Sequence, residues 1–345
     1  MAQQSLSYVL AERPKGDIIP GQTFKAKSEK APTAEDLKDG QILVETLYLA
    51  LDPAMRGWLN GMSNASVIGE VMRGGVLARV LASRSSKAKA GDLVYAMTGW
   101  REIAIASEKL FEPPLALPSN AKPTDLLGVL GMTGLTAYFG MFDIGEPKPG
   151  ETVVVSGAAG ATGSVAGQLA KIMGARVVGI AGSDEKVQWL KEELGFDDAL
   201  NYKDPDFKKK FKEATPKFID VFWDNVGGEQ LNMALGRAAK FARFVMCGGI
   251  SQYNTRKLQG PPNIINVIPQ RVKMQGFIVF DHTADFPKAR KELAQWMSEG
   301  KLRRQETIVK GGLRSAEQAL VDLYKGVNKG KLLVEVKNPD ERSKL

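Results

Sequence analysis

The sequence predicts an α/β protein with a doubly wound parallel sheet and a second, β-rich domain. Between residues 126 and 301, short apolar runs alternate with helix-length segments, which is the pattern of a parallel sheet with crossover helices. Residues 1–125 and 302–345 instead carry short strand-like runs between Gly, Pro and Asp residues. We therefore expect a β-rich domain that the end of the chain rejoins, which agrees with the two domains typical of 345 residues.

Four short runs predict strands in the first part of the chain, because each is apolar or alternating and is bounded by turn residues. The runs are QILVETLYLAL (Gln41–Leu51), GGVLARVLAS (Gly74–Ser83), DLVYAM (Asp92–Met97) and WREIAIAS (Trp100–Ser107). The last part of the chain predicts a strand, a helix and a second strand. These three elements are Glu306–Val309, Ser315–Tyr324 and Leu332–Val336.

Six strand-like runs in the middle of the chain predict the parallel sheet. They are TVVVSG, RVVGIAG, DALNY, DVFWDNVGG, RFVMCGG and QGFIVFD. Helix-length segments separate most of them, as in a doubly wound sheet. The last run is expected to be the edge strand, and its apolar character favours pairing with a second copy of the chain.

A glycine-rich turn follows the first of these strands directly. Gly157, Gly160 and Gly163 lie between the strand and a predicted helix, with Ala161 and Thr162 among them. Glycine lets the backbone approach a pyrophosphate, whose charge then meets the helix N-terminus. No Gly-Lys-Ser/Thr sequence follows, so a P-loop is excluded. The turn predicts a Rossmann dinucleotide site, and the alternative is a set of glycines that only tightens the turn.

The tip of the next strand discriminates between NAD and NADP. An NAD-specific site places an acidic residue there, which accepts a hydrogen bond from the ribose 2′-hydroxyl. Here Gly182 and Ser183 occupy the tip, and Lys186 just beyond it supplies positive charge for a 2′-phosphate. Asp184 comes slightly late, and its alternative role is to cap the next helix. We therefore expect NADPH as the cofactor.

Composition excludes several kinds of site. Cys247 is the single cysteine, so neither an intramolecular disulfide nor a cysteine-rich zinc site is expected. His282 is the single histidine, which argues against a histidine-based triad or metal cluster. The net charge of +8 favours anionic ligands, but the Lys and Arg residues are scattered, so we expect no nucleic-acid partner. No stretch is apolar enough to predict a membrane span.

The two ends of the chain bear on localisation. The N-terminus lacks the pattern of a signal peptide, so an intracellular protein is expected. The last three residues, Ser343, Lys344 and Leu345, match the peroxisomal import signal. We therefore expect a peroxisomal protein that binds the import receptor, and a cytoplasmic one where the signal is not used.

The order of a β-rich domain, a Rossmann domain and a returning tail is similar to that of medium-chain dehydrogenases/reductases, whose β-rich domain is GroES-like. Zinc-dependent members need Cys and His ligands. Where they carry a Gly-His-Glu motif, this chain has VIGEVMRGG (Val67–Gly75). The resemblance therefore points to the zinc-independent branch, with no metal ligand expected.

One family within that branch is similar over nearly the whole chain and in the same order of motifs. The motifs are LDPAMRGWL, GMTGLTAYFG, SGAAGATGSVAGQLAK, GSDEKV, NYKD, DNVGG, CGGISQYN and VNKGK. They resemble the leukotriene 12-hydroxydehydrogenase/prostaglandin reductase family, with its plant and fungal alkenal double-bond reductases. The resemblance implies a homodimer that uses NADPH to reduce the carbon–carbon double bond of an α,β-unsaturated ketone or aldehyde, with hydride transfer to the β-carbon.

The resemblance also implies roles for individual residues. Lys186 and Tyr202 match contacts of the 2′-phosphate, and Tyr253 matches the tyrosine that lines the substrate pocket beside the nicotinamide. Because no metal or suitable histidine is expected, the remaining catalytic hydroxyl donors are Tyr253 and the ribose hydroxyl of the cofactor. The residues that match those around the nicotinamide are Asn225, Cys247, Val279 and Asn328. Ala54 stands where many relatives have Tyr within DPYMR, so we expect a differently shaped pocket.

Each of these residues has a purely structural alternative role, and the chain has alternative functions. Asn225 and Asn328 are alternatively turn residues, Cys247 a core residue and Tyr253 a buried hydrogen-bonded tyrosine. The alternative functions are a quinone reductase, a peroxisomal enoyl-thioester reductase and a non-enzymatic NADPH-binding protein. The substrate is expected to be a small molecule in each enzymatic case.

Overall fold

The structure is a computed structural model that describes residues 3–61, 65–255, 257–258 and 260–340. The chain divides into two compact units. The first comprises Met1–Pro118, Lys122–Leu127 and Glu306–Leu345, and the second comprises Ser119–Ala121 and Gly128–Gln305. Within the described ranges, no helix combines the length and the apolar character that a bilayer crossing requires.

The first unit begins with six strands and one short helix. They are β1 (Gln4–Leu10), β2 (Phe24–Lys30), β3 (Gln41–Ala50), α1 (Met55–Trp58), β4 (Val76–Ser83), β5 (Leu93–Ala96) and β6 (Ile103–Ser107). The four predicted strands are β3 to β6. The strands β1 and β2 were not predicted from the sequence, and they pair antiparallel as a separate sheet. All but the first residue of β2 are exposed, so it lacks the apolar alternation that marks a half-buried strand.

The second unit contains six strands with intervening helices. In order they are α2 (Met132–Phe139), β7 (Thr152–Val155), α3 (Ala161–Ile172), β8 (Arg176–Ala181), α4 (Asp184–Glu192), β9 (Asp198–Asn201), α5 (Phe207–Ala214), β10 (Ile219–Asp224), α6 (Gly228–Leu235), β11 (Ala238–Met246), α7 (Val267–Gln270), β12 (Lys273–Gly276) and α8 (Phe286–Ser298). The strand order is β12-β11-β10-β7-β8-β9, and every neighbouring pair is parallel. The predicted doubly wound parallel sheet is confirmed.

The direction of winding reverses at β7, and this reversal positions the site. The chain passes from β7 to β8 and β9 on one side, then returns to β10 on the other. Val153, Val154 and Val155 of β7 are fully buried, because helices cover both faces of a parallel sheet. A crevice opens at the carboxyl ends of the strands where such a reversal occurs, and open α/β sheets bind their ligands there.

The edge strand is shorter than predicted. β12 ends at Gly276, so the prediction of a strand over the whole of QGFIVFD is wrong beyond that residue. Just after it, the half-buried Phe277 ring packs edge-on against the buried Trp223 at 6.2 Å between ring centroids. A 3-10 helix, Val279–Asp285, follows. The run does lie at the edge of the sheet, as expected.

The end of the chain completes the first unit. Its elements are β13 (Glu306–Val309), α9 (Ala316–Tyr324) and β14 (Lys331–Glu335). β14 pairs with β3 antiparallel and with β13 parallel, so two strands from the end of the sequence extend the sheet of β3 to β6. The buried Lys331 amine binds the Asp52 carboxylate and the Leu51 carbonyl just after β3. This ion pair joins β14 to the turn after β3.

Candidate functional site

The glycine-rich turn joins β7 to α3 at the carboxyl end of the sheet. Gly157 has φ +57°, a conformation that glycine adopts without strain. Gly160 is the N-cap of α3 and offers no side chain to its first turn, which begins with Ala161 and Thr162. A Cβ on Gly163 would lie 2.4 Å from the Gly157 carbonyl oxygen, so only glycine lets the helix approach the turn this closely.

This arrangement fits the pyrophosphate of a dinucleotide. The first N–H groups of a helix have no intrahelical acceptor, and α3 has no capping side chain to take their place. Those N–H groups and the helix dipole favour a bound anion. The predicted dinucleotide turn therefore has both the close approach and the donors that the ligand requires.

Ser183 and Tyr202 follow the neighbouring strands β8 and β9, at the predicted 2′-phosphate position. Ser183 is the N-cap of α4, and its hydroxyl accepts the Lys186 N–H at 3.4 Å. A Cβ on Gly182 would lie 3.1 Å from Cε1 of Tyr202, so the glycine makes room for the ring. The Tyr202 side chain remains 45% exposed. The tip therefore brings the Ser183 hydroxyl and the accessible Tyr202 phenol to adjacent strand ends, and the half-buried Lys186 follows in the first turn of α4.

Asp184 does not cap the helix. Ser183 does so, and the Asp184 carboxylate instead accepts the Asn201 side-chain N–H at 2.9 Å. The alternative role that the sequence left open for Asp184 is therefore wrong. Its carboxylate is bound by a residue of β9, which the sequence of α4 alone does not reveal.

The Asn225 side chain is held at both ends by the protein. Its Nδ2 donates to the Ser156 carbonyl at 2.7 Å, and its Oδ1 accepts the indole N–H of Trp223 at 3.0 Å. These bonds join the turn after β10 to the turn after β7. They give Asn225 the turn-holding role that was its alternative, and leave one amide hydrogen for its predicted contact near the nicotinamide.

Tyr253 lies beyond β11 with its oxygen over the turn that follows that strand. The Gly249 N–H donates to the phenol oxygen at 3.1 Å, and a Cβ on Gly248 would come within 3.0 Å of the same oxygen. Among the described residues the phenol hydrogen has no acceptor. Burial raises the pKa of Tyr253, so the hydroxyl keeps its proton at neutral pH. Tyr253 is therefore arranged as a hydrogen-bond donor.

Cys247 lies at the start of the same turn. Its N–H donates to the Asp224 carbonyl at 2.9 Å. Burial raises the pKa of the thiol to about 12, with the charge of Asp224 as a smaller contribution. A protonated thiol is a poor nucleophile at neutral pH.

The two remaining predicted cofactor residues lie elsewhere in the fold. Val279 is half-buried at the start of the 3-10 helix after β12. Asn328 belongs to the first unit, where it is buried and its amide donates to the Gly330 carbonyl at 2.7 Å. Ala54, in the same unit, is exposed at the N-cap of α1.

Sequence reasoning missed the pair formed by Asp224 and Ser156. Both side chains are fully buried, and the Ser156 hydroxyl donates to the Asp224 carboxylate at 2.8 Å. The signal available in the sequence was an acid that ends the otherwise apolar run VFWD. Such an acid in a buried strand requires a local partner.

The single histidine is engaged in packing. The His282 ring stacks on Phe139 at 4.4 Å, and its Nδ1 lies 3.3 Å from the Asp143 carboxylate. Within the described ranges, no three His, Cys, Asp or Glu side chains are grouped so that they could hold a metal ion.

Two family models match the chain. Residues 7–113 match a model described as the N-terminal domain of oxidoreductase, and residues 161–295 match one described as zinc-binding dehydrogenase. The first match covers most of the β-rich segment before α2. The second begins at α3 and extends into α8.

Individual relatives are similar over most of their length. Prostaglandin reductase 1 of Bos taurus is 43% identical over 90% of this chain and 93% of its own. The NADP(+)-dependent 2-alkenal reductase of Nicotiana tabacum is 40% identical over 86% of this chain and 87% of its own. The crystal structure of CurA in complex with NADPH from Vibrio vulnificus has a TM-score of 0.89 and 37% identity, covering 97% of this chain and 100% of its own. The chain therefore belongs to the medium-chain dehydrogenases/reductases, within the leukotriene 12-hydroxydehydrogenase/prostaglandin reductase family, and is an NADP-dependent oxidoreductase that uses NADPH.

Proposed function

We propose that this enzyme reduces the carbon–carbon double bond of α,β-unsaturated ketones and aldehydes, without a metal. The names of the prostaglandin and 2-alkenal reductases similar to it support this substrate class. The observation that carries the proposal is the Tyr253 hydroxyl, whose oxygen is bound by the Gly249 N–H while its hydrogen is left to donate. Bound NADPH supplies the hydride.

Tyr253 acts where charge develops. As the β-carbon of the substrate gains hydride, negative charge builds on the carbonyl oxygen, and a fixed donor lowers the energy of that state most. The Gly249 N–H orients the phenol and polarises its O–H bond. Because burial raises the pKa of Tyr253, the donor is present throughout the neutral range. The raised pKa of Cys247 also keeps a thiolate from adding to the electrophilic substrate.

Tyr253→Phe removes this donor and keeps the packing ring. We expect kcat with an α,β-unsaturated ketone to fall by up to about a hundredfold, the lower end of the usual loss for one such donor. The NADPH dissociation constant should change little. Steady-state kinetics and cofactor titration measure these two quantities. Metal independence is tested separately, since excess chelator in the wild-type assay should leave the rate unchanged. An unaltered kcat would make Tyr253 structural, and a collapse of NADPH binding would make it a cofactor residue.

We propose that Ser183, Lys186 and Tyr202 bind the 2′-phosphate, and that Asn225, Cys247, Val279 and Asn328 surround the nicotinamide half. Only the 2′-phosphate distinguishes NADPH from NADH. A lysine contact to it is charge-assisted, so it should dominate this preference. A second lysine on the same helix, Lys191, serves as the control for this contact.

Lys186→Ala should weaken NADPH binding by roughly tenfold to a hundredfold, or about 1.5–3 kcal/mol, and leave NADH binding unchanged. The matched control is Lys191→Ala on the same helix, where the exposed amine lies 3.6 Å from Asp198. That variant should bind both cofactors as the wild type does. Equal weakening of NADPH and NADH by Lys186→Ala would refute the 2′-phosphate contact.

We propose that the enzyme is a homodimer joined at the β12 edge. The strand at this edge has one neighbour, β11, within the described chain. Exposed apolar side chains precede and follow this strand in the sequence. They are Ile264, Ile265, Ile268, Ile278 and Phe280. An unpaired edge beside apolar side chains favours association.

Ile278→Glu should convert the dimer to a monomer at micromolar concentration, because it buries a charge in the proposed interface. Ile19→Glu is the matched control, since Ile19 is 51% exposed in the first unit and Ile278 is 61% exposed beside the edge. Light scattering measures the mass of each. A monomeric wild type, or dimers of both variants, would contradict the assignment.

We propose that Ser343, Lys344 and Leu345, which lie outside the described residues, direct import into peroxisomes. A fluorescent protein fused to the N-terminus should accumulate in peroxisomes of a eukaryotic host. Deletion of Leu345 is the control and should leave the fusion in the cytosol. The same diffuse signal for both fusions would show that the tripeptide is not used.

A further inference from the structure

A buried carboxyl group joins the ends of three strands beneath the cofactor turn. Asp224 is the last residue of β10 and is 0% exposed. Its backbone oxygen accepts the N–H groups of Cys247 and Gly248, both at 2.9 Å, just after β11. Its carboxylate reaches the other neighbour of β10, because Oδ1 accepts the Ser156 hydroxyl at 2.8 Å just after β7.

The same carboxylate oxygen also organises the turn that follows its own strand. Oδ1 accepts the N–H groups of Val226 and Gly227, each at 2.9 Å. The Ser156 hydroxyl in turn accepts the Asn225 N–H at 2.9 Å. One oxygen therefore accepts three hydrogen bonds, and a fourth donor, the Asn225 N–H, is linked to it through the Ser156 hydroxyl. Bonds of this kind to a carboxylate are among the stronger hydrogen bonds in proteins.

We propose that Asp224 is a positioning residue of the cofactor site. It holds the turn that begins at Ser156 against the turn that begins at Asn225, on the two sides of the point where the sheet reverses its winding. The proposal rests on the glycine turn as the pyrophosphate site. Asp224 acts through Ser156 and the backbone, and its effect is to fix the spacing between two turns before the cofactor arrives. Fixing that geometry in advance reduces the ordering cost of binding.

The second oxygen of the Asp224 carboxyl group lowers the stability of the fold, so a gain in stability does not explain the presence of this residue. Oδ2 is buried and has no hydrogen-bond partner among the described residues. Burial raises the pKa of Asp224, while its bonds to Gly227, Val226 and Ser156 oppose that change. An unpaired buried oxygen lowers stability. The hydrogen bonds to Oδ1, in contrast, fix the arrangement of the two turns.

The chain offers a matched control at the opposite end of the same strand. The Asp220 carboxylate accepts the Thr152 N–H at 2.8 Å, so it joins β10 to β7 as Asp224 does. That bond lies at the amino ends of the strands, away from the glycine turn. A loss of strand pairing is therefore separable from a loss of turn geometry.

The experiment measures the NADPH dissociation constant and the Tm without cofactor for wild type, Asp224→Ala, Asp224→Asn, Ser156→Ala and Asp220→Ala. Asp224→Ala should raise the dissociation constant by about tenfold or more, since three donors lose their acceptor. Asp224→Asn keeps an acceptor at Oδ1 and should restore most of the affinity. Ser156→Ala should weaken binding severalfold, and Asp220→Ala should lower Tm while binding NADPH as the wild type does.

Three results would overturn the proposal: wild-type NADPH affinity in Asp224→Ala, equal weakening in Asp220→Ala, or no recovery in Asp224→Asn. If Asp224→Ala does not fold, Ser156→Ala decides, with weakened binding in support and unchanged binding against. Failure of the wild type itself to bind NADPH would instead contradict the cofactor site. The two failures are therefore distinguishable.

Discussion

The pairing of β7 with both β8 and β10 is the constraint on which the rest of the structure depends. It places one buried, apolar strand at the centre of a parallel sheet and reverses the winding there. Two turns then leave the sheet side by side, one after β7 and one after β10. This pairing places the glycine turn at the carboxyl end of the sheet where the winding reverses, which is where such sheets bind a dinucleotide. Gly163 is needed because α3 starts close to that turn.

Three strand ends then act together. The carboxyl end of β10 holds its neighbours through Asp224, and Asn225 binds the turn after β7. The end of β11 leads to Gly249 and Tyr253, whose hydrogen bond orients the half-buried phenol. The cofactor turns and the proposed hydrogen-bond donor Tyr253 therefore belong to one hydrogen-bonded network. Because these hydrogen bonds set the geometry of the site, substitutions that remove them should change NADPH affinity and kcat beyond any change in stability.

The sequence predicted the features that depend on local pattern. Continuous apolar runs marked the strands of the parallel sheet, and glycines after a strand marked the dinucleotide turn. It failed where a contact between distant residues decided the outcome. The edge strand ended at Gly276, where Phe277 packs on Trp223 of another strand, and Asn201 binds the carboxylate of Asp184. The buried role of Asp224 was likewise hidden, because hydrogen-bond partners from another strand leave no periodic trace in the sequence.

The most direct test of the proposed reaction follows the transferred hydrogen. NADPH deuterated at C4, in separate preparations for each face, is incubated with the enzyme and an α,β-unsaturated ketone, and the product is examined by NMR. We expect a saturated ketone that carries deuterium on the former β-carbon from one of the two preparations. Deuterium on the former carbonyl carbon, in an allylic alcohol, would contradict it.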